Sequence, residues 1–179
     1  EEGGRKATPQ KGQGLDPGFT PISVVGKRDA VLRGLRALGS VLVAMSGGVD
    51  SAVVASLAHQ ALGNRAVAVT FESPLTPPGE LEDARAVAHF IGIRHRVEPS
   101  NELAVAKIAA NPEDRCYYCK GFRFATARRL AEKLRLDAVV DGTTHSDLTT
   151  NAPTPVARVA AACRARGVEL IDAPVSGRP

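Results

Sequence analysis

Short, unbroken apolar runs alternate along this chain with longer segments whose apolar residues recur at helical spacing, and that alternation constrains the fold more than any other feature. VLVAM (41–45), AVAVTF (66–71), RHRVE (94–98), DAVVD (137–141) and VELID (168–172) read as strands. KRDAVLRGLRALG (27–39) carries Val31, Leu35 and Leu38 on one helical face. Further helices are expected over about 50–62 and about 79–91, then at ELAVAKIAA (102–110), GFRFATARRLAEKL (121–134) and VARVAAACRAR (156–166). NPEDRCYYCK (111–120) reads as a loop. Strands that are apolar throughout are covered on both faces, so the pattern predicts an α/β fold with a doubly wound parallel sheet of about five strands. Residues 1–22, rich in Gly, Pro, Lys and Gln, read as a flexible N-terminal tail, and 23–179 as one domain.

Composition narrows the function classes. With 44% hydrophobic and 23% charged residues, the 179-residue chain can bury a full core. Its apolar runs are interrupted well before the roughly 18 residues a membrane span needs. The opening EEGGRKATPQ contains no apolar stretch of the signal-peptide kind, so a cytoplasmic location is expected. Three cysteines, Cys116, Cys119 and Cys163, are too few for a disulfide framework and fit a reducing compartment. A net charge of +4 suits phosphate-bearing ligands without requiring nucleic acid.

The turn SGGVDS (46–51) lies between the first strand and the helix after it, where ligands bind in such sheets. Gly47 and Gly48 remove the Cβ atoms that would block close approach to the backbone. The helix beyond presents unpaired N–H groups and a positive dipole end, a ready anion site. Ser46 and Ser51 add hydroxyls, while Asp50 can cap the helix or help hold Mg²⁺ against phosphates. The turn lacks the lysine of a Walker loop and the spacing of the dinucleotide fingerprint. SGGVDS instead resembles the PP-loop of the ATP pyrophosphatases, with the adenine nucleotide alpha hydrolase-like fold. That superfamily, which includes GMP synthetases, NAD synthetases and tRNA thiolases, cleaves ATP between its α and β phosphates and adenylates the substrate.

A narrower resemblance runs over roughly residues 28–172. LRALGSVLVAMSGGVDSAVVASLAHQALGNRAVAVTFESP, ELEDARAVAHFIGIRHRVE, NPEDRCYYCKGF and DAVVDGTTHSDL are similar in order and spacing to LarE, the ATP-dependent sacrificial sulfur transferases of nickel-pincer cofactor synthesis. This resemblance implies adenylation of a carboxylate on a small nucleotide-like substrate, followed by attack of a protein cysteine that gives up its sulfur. The chemistry accounts for the use of ATP, because a carboxylate cannot lose oxide whereas an acyl adenylate readily loses AMP. Carried over, Ser46, Gly47, Gly48, Asp50 and Ser51 would hold the pyrophosphate portion of ATP. Thr70 and Phe71 would lie beside adenine and ribose, Gly142 and Thr143 would complete the pocket, and Arg115 would meet phosphate through its guanidinium. Family resemblance also suggests self-association or a partner subunit.

Departures from the family affect the sulfur step. The family's donor cysteine lies in a segment resembling ASACLSSR, which does not occur in these 179 residues; GTTHSDL stands where the family tends to have GTNADDL, and TTNAPTP replaces an arginine-bearing stretch. Cys116 and Cys119 form a C-x-x-C that reads as a structural or family-specific pair, or, beside Arg115 and Lys120, as thiolates able to carry persulfide. Cys163 among alanines reads as a small buried hydrophobe, and His145 as a loop side chain. Arg115, Lys120, Arg123, Arg128, Arg129, Lys133 and Arg135 form a basic run that could meet a phosphorylated substrate or tRNA, and that reads in preference as the polar side of an amphipathic helix whose inner face is Phe124, Ala127, Ala131 and Leu134. Tyr117 and Tyr118 alone make no base-stacking platform, so nucleic acid is not expected as a partner. An ammonia-using ligase of the NAD or GMP synthetase kind, or a non-catalytic nucleotide-binding subunit, are the competing readings.

Overall fold

A computed structural model describes residues 24–143. The chain runs α1 (Val24–Ala37), β1 (Val41–Ala44), α2 (Val49–Leu62), β2 (Ala66–Glu72), α3 (Glu80–Ile91), β3 (Arg94–Pro99), α4 (Ala106–Ala109), α5 (Arg115–Leu134) and β4 (Ala138–Asp141). The tail over 1–22, the helix over 156–166 with Cys163, the strand over 168–172 and His145 lie outside the described residues.

The four strands form one parallel sheet in the order β3-β2-β1-β4. Alternate residues on β1 and β2 face two apolar layers, which explains why these central strands are apolar almost throughout, whereas β3 at the sheet edge carries Arg94, His95, Arg96 and Glu98. Val41 and Val43 of β1 and Val140 of β4 pack with Leu35 of α1, Val54 and Ala58 of α2, and Ala84 and Ala88 of α3. Leu42, Val67, Val69 and Val139 point the other way, onto Phe124, Ala127, Leu130 and Ala131 of α5. The sheet is therefore doubly wound, and β1 lies where the strand order reverses. Such a reversal opens a crevice beyond the carboxyl ends of the strands.

Two segments differ from the sequence-based expectation. RCYYCK is not loop but the first turns of α5, preceded by a turn in which Arg115 N donates to Pro112 O. Cys and Tyr have weak intrinsic helix propensity, yet the apolar stripe of α5 anchors the helix on the sheet, and Tyr117 packs onto the same layer. ELAVAKIAA, expected as one helix, is a 3₁₀ turn at Glu102–Ala104 followed by the four-residue α4. The β-branched Val105 is extended between them, and Glu102 turns its side chain into the protein.

Candidate functional site

A cleft of about 320 Å³ opens at the carboxyl end of the sheet. Its floor comes from the ends of β1, β2 and β4, one side from the residues leading into α2 and α3, and the other from α5. Ser46, Gly48, Asp50, Ser51, Thr70, Phe71, Gly142 and Thr143 all line it, so eight residues singled out in the sequence are brought together.

The glycine turn is held by its own serines. Ser51 is buried; its hydroxyl donates to Gly48 O at 2.9 Å and accepts from Ser46 N at 3.2 Å. Gly47 adopts φ +88°, and a Cβ there would lie 3.1 Å from Ala84 N and 3.2 Å from Glu80 O, so this glycine serves the turn and its packing on α3. Gly48 is different. It precedes α2 with φ −71°, and among the described residues a Cβ on it would meet only Ser46 Oγ at 3.4 Å, so no neighbour among them requires a glycine here. Gly48 caps α2 without a side-chain hydrogen bond; Asp50 stands within the first turn and is not the cap. The first amides of the 14-residue α2 thus face the cleft region with no side-chain cap, an electropositive end suited to an anion.

The cleft floor is tied down by hydrogen bonds. Thr70 donates to Met45 O at 2.8 Å, joining β2 to the end of β1. Because that proton is committed, His95 Nε2 is the donor in its 2.8 Å contact with Thr70 Oγ1. Burial, reinforced by the positive charge of Arg85, lowers the His95 pKa, so the neutral ring is favoured. Asp141 accepts from Thr143 N at 3.2 Å and from Thr143 Oγ1 at 2.7 Å, fixing the turn after β4. Gly142 is pressed against the start of α2, where a Cβ would lie 2.7 Å from Ser51 N.

Arg115, Cys116 and Cys119 are not among the cleft-lining residues. Arg115 Nη1 donates to Asn111 Oδ1 at 2.9 Å, in the segment that leads into α5. Cys116 is exposed and Cys119 half-buried, both as free thiols. Burial pushes the Cys119 thiol up in spite of Arg115 and Arg123, so the electrostatic preference for a Cys119 thiolate does not hold. Conversely, Lys120 and Arg123, expected on the solvated side of α5, line the cleft together with Thr76, Glu80 and Asp141. Their spacing contained the signal: positions 120, 123, 124 and 127 share one helical face, and Phe124 and Ala127 are the buried ones.

The asparagine synthase family model matches residues 28–120, slightly more than half of the chain. An uncharacterised protein of Synechocystis sp. is 48% identical over 111 residues, covering 62% of this chain and 41% of its own. An NH₃-dependent NAD⁺ synthetase of Methanosarcina mazei is 44% identical over 75 residues, covering 41% and 29%. A subunit of a glutamine-hydrolysing GMP synthase from Methanocella arvoryzae is 33% identical over 110 residues, covering 61% and 36%. The chain thus spans less than half the length of these curated relatives. In fold it resembles an NMN synthetase of Francisella tularensis, with a TM-score of 0.57 at 18% identity, covering 70% of this chain and 56% of that one. An NH₃-dependent NAD synthetase of Campylobacter jejuni gives a TM-score of 0.55, also at 18% identity, covering 70% and 57%.

Proposed function

The chain belongs to the asparagine synthase family, in the PP-loop superfamily of ATP-using adenylating enzymes, and from that membership we propose that its cleft binds ATP with Mg²⁺ and adenylates a carboxylate on a small nucleotide-like substrate. The observation that carries this reading is Gly48: nothing among the described residues needs a glycine there, whereas a phosphate approaching the backbone does. The first amides of α2 and the hydroxyls beside the glycine turn hold the outgoing pyrophosphate, while Ser46 N and Gly48 N stay within the turn as donors to Ser51 Oγ and Ser46 Oγ, and this binding is the leaving-group assistance the step requires. The substrate carboxylate attacks the α-phosphorus, the bond to the β-phosphate oxygen breaks, and an acyl adenylate forms. Thr70, Phe71, Gly142 and Thr143 shape the nucleoside end of the same cleft.

Magnesium fits the donor set. Among the described residues no three metal-ligating side chains cluster, but Mg²⁺ keeps most of its shell as water and phosphate oxygen and takes only one or two carboxylates. Asp50 would hold it, with Asp141 and Glu80 lining the same cleft. The ion supplies charge neutralisation along the polyphosphate.

For the second half-reaction we favour sulfur as the entering atom, on the similarity of NPEDRCYYCK and its flanks to the sacrificial sulfur transferases. Cys116 and Cys119 are the sulfur-bearing candidates among the described residues, acting only if the acyl adenylate or a carrier reaches the start of α5. Ammonia is the alternative, supported by the names of the NAD and GMP synthetase relatives. Calorimetry with ATP and Mg²⁺ tests the first half: Asp50→Ala and Ser51→Ala should weaken binding at least about tenfold, and unchanged affinity sinks the proposal. AMP release that depends on a sulfur source rather than ammonium ion decides the second.

A further inference from the structure

Across the cleft from the glycine turn, α5 contributes two cations that the nucleotide reading does not use. Arg123 Nε donates to Glu102 Oε1 at 2.6 Å. Glu102 is 0% exposed, while the Arg123 side chain keeps 38% of its surface open. A carboxylate is rarely buried so completely unless paired, and here the pairing serves a specific geometry. Guanidinium is a rigid planar fork, so fixing its Nε edge on Glu102 fixes the plane in which the Nη donors lie. Arg123 lines the cleft, as does Lys120 one turn earlier on the same helical face. Among the described residues Lys120 forms no salt bridge. The cleft carboxylates Asp50, Glu80 and Asp141 come from α2, α3 and β4, so the two signs of charge enter from different elements.

We propose that Lys120 and Arg123 form a second oxyanion subsite on the α5 wall of the cleft, taking a phosphate or carboxylate group, and that buried Glu102 is its positioning residue. The inference rests on the nucleotide reading of the same cleft for its biological use, though not for its existence. A bond that merely pinned α5 to the preceding turn would need neither Lys120 nor an arginine reaching the cleft. The oxyanion has two possible sources, the polyphosphate of ATP and the acidic group of the acceptor.

Calorimetry with inorganic phosphate, on the protein alone and on protein saturated with α,β-methylene ATP, separates them. If the acceptor fills the subsite, phosphate binds the saturated protein, and Lys120→Gln and Arg123→Lys each weaken it at least about tenfold while the analogue's affinity holds. If ATP fills it, the analogue excludes phosphate and its own affinity falls about tenfold in the same variants. Phosphate and analogue affinities both unchanged by the substitutions overturn the subsite. For the positioning role, Glu102→Leu should cost as much phosphate affinity as Arg123→Lys, the double variant should cost no more than either, and Glu102→Gln, which keeps an acceptor, should restore most of it. Additive losses overturn that role. Lys120→Gln, at a half-exposed side chain, keeps the subsite testable should the Glu102 variants fail to fold. An analogue that never binds, with phosphate still bound through Lys120 and Arg123, would remove the proposed function and leave the subsite standing.

Discussion

Alanine at position 48 and alanine at position 142 separate ligand approach from protein packing. Gly142→Ala would drive a Cβ to 2.7–2.9 Å from backbone atoms of Asp50 and Ser51, which cannot rotate aside. Thermal unfolding should show a loss of about 1–3 kcal/mol for this variant, the usual cost of overpacking. Among the described residues Gly48→Ala meets only the Ser46 hydroxyl at 3.4 Å, and it keeps an ordinary backbone angle. It should unfold at the wild-type temperature, yet bind ATP at least about tenfold more weakly if phosphate lies against that backbone. Cys119 makes a further single-residue case. Because burial raises its pKa, its alkylation by iodoacetamide at pH 8 should be slower than that of an unstructured peptide thiol, read by mass spectrometry.

The turn at Glu102–Ala104 and α5 are joined by the Glu102–Arg123 pair, and this junction makes stability depend on pH. Burial alone would raise the Glu102 pKa, but the hydrogen bonds from Arg123 and from its own backbone amide, with the Arg123 charge, outweigh it and hold the carboxyl below its ordinary value. A depressed folded-state pKa means that the unfolded chain binds the proton first as pH falls. The contribution is therefore fully present above about pH 4.5 and is lost as pH drops through the folded value. Chemical denaturation from pH 7 to 3 should show that loss in the wild type and a shallower one in Glu102→Gln. Arg123→Ala should cost about 3 kcal/mol at neutral pH, since it strands a buried carboxylate. His95 on β3 acts with the same sign in a higher window. Its lowered pKa stabilises the fold above pH 6.5, and the benefit declines as pH falls below that value. His95→Gln should flatten the denaturation midpoint between pH 7 and 5.

For the molecule as a whole, one sheet carries two apolar layers that do not share side chains. Leu35 and Leu42 are both fully buried, one in each layer. Leu35→Ala and Leu42→Ala should each cost about 2–5 kcal/mol, and the double variant should match their sum within about 0.5 kcal/mol, as read by urea unfolding followed by circular dichroism. The layered fold and the position of the glycine turn were legible in the sequence, because each depends on local pattern. A short continuous apolar run rich in valine such as VLVA, bounded by glycine turns, reads as a strand buried on both faces, and a turn of glycines and serines between such a strand and a helix lies at the open end of the sheet. The α5 wall was legible only in part, through the one helical face that positions 120, 123, 124 and 127 share. Local propensity places RCYYCK in a loop and lets Lys120 and Arg123 pass as solvated charges; which side of the helix meets the cleft is decided by the rotation that seats Phe124 and Ala127 on the sheet. Nor does any local pattern bring Glu102, 21 positions away, beneath Arg123. Backbone periodicity is a short-range property carried by the residues themselves, whereas the partner of a buried charge is chosen only when distant segments pack.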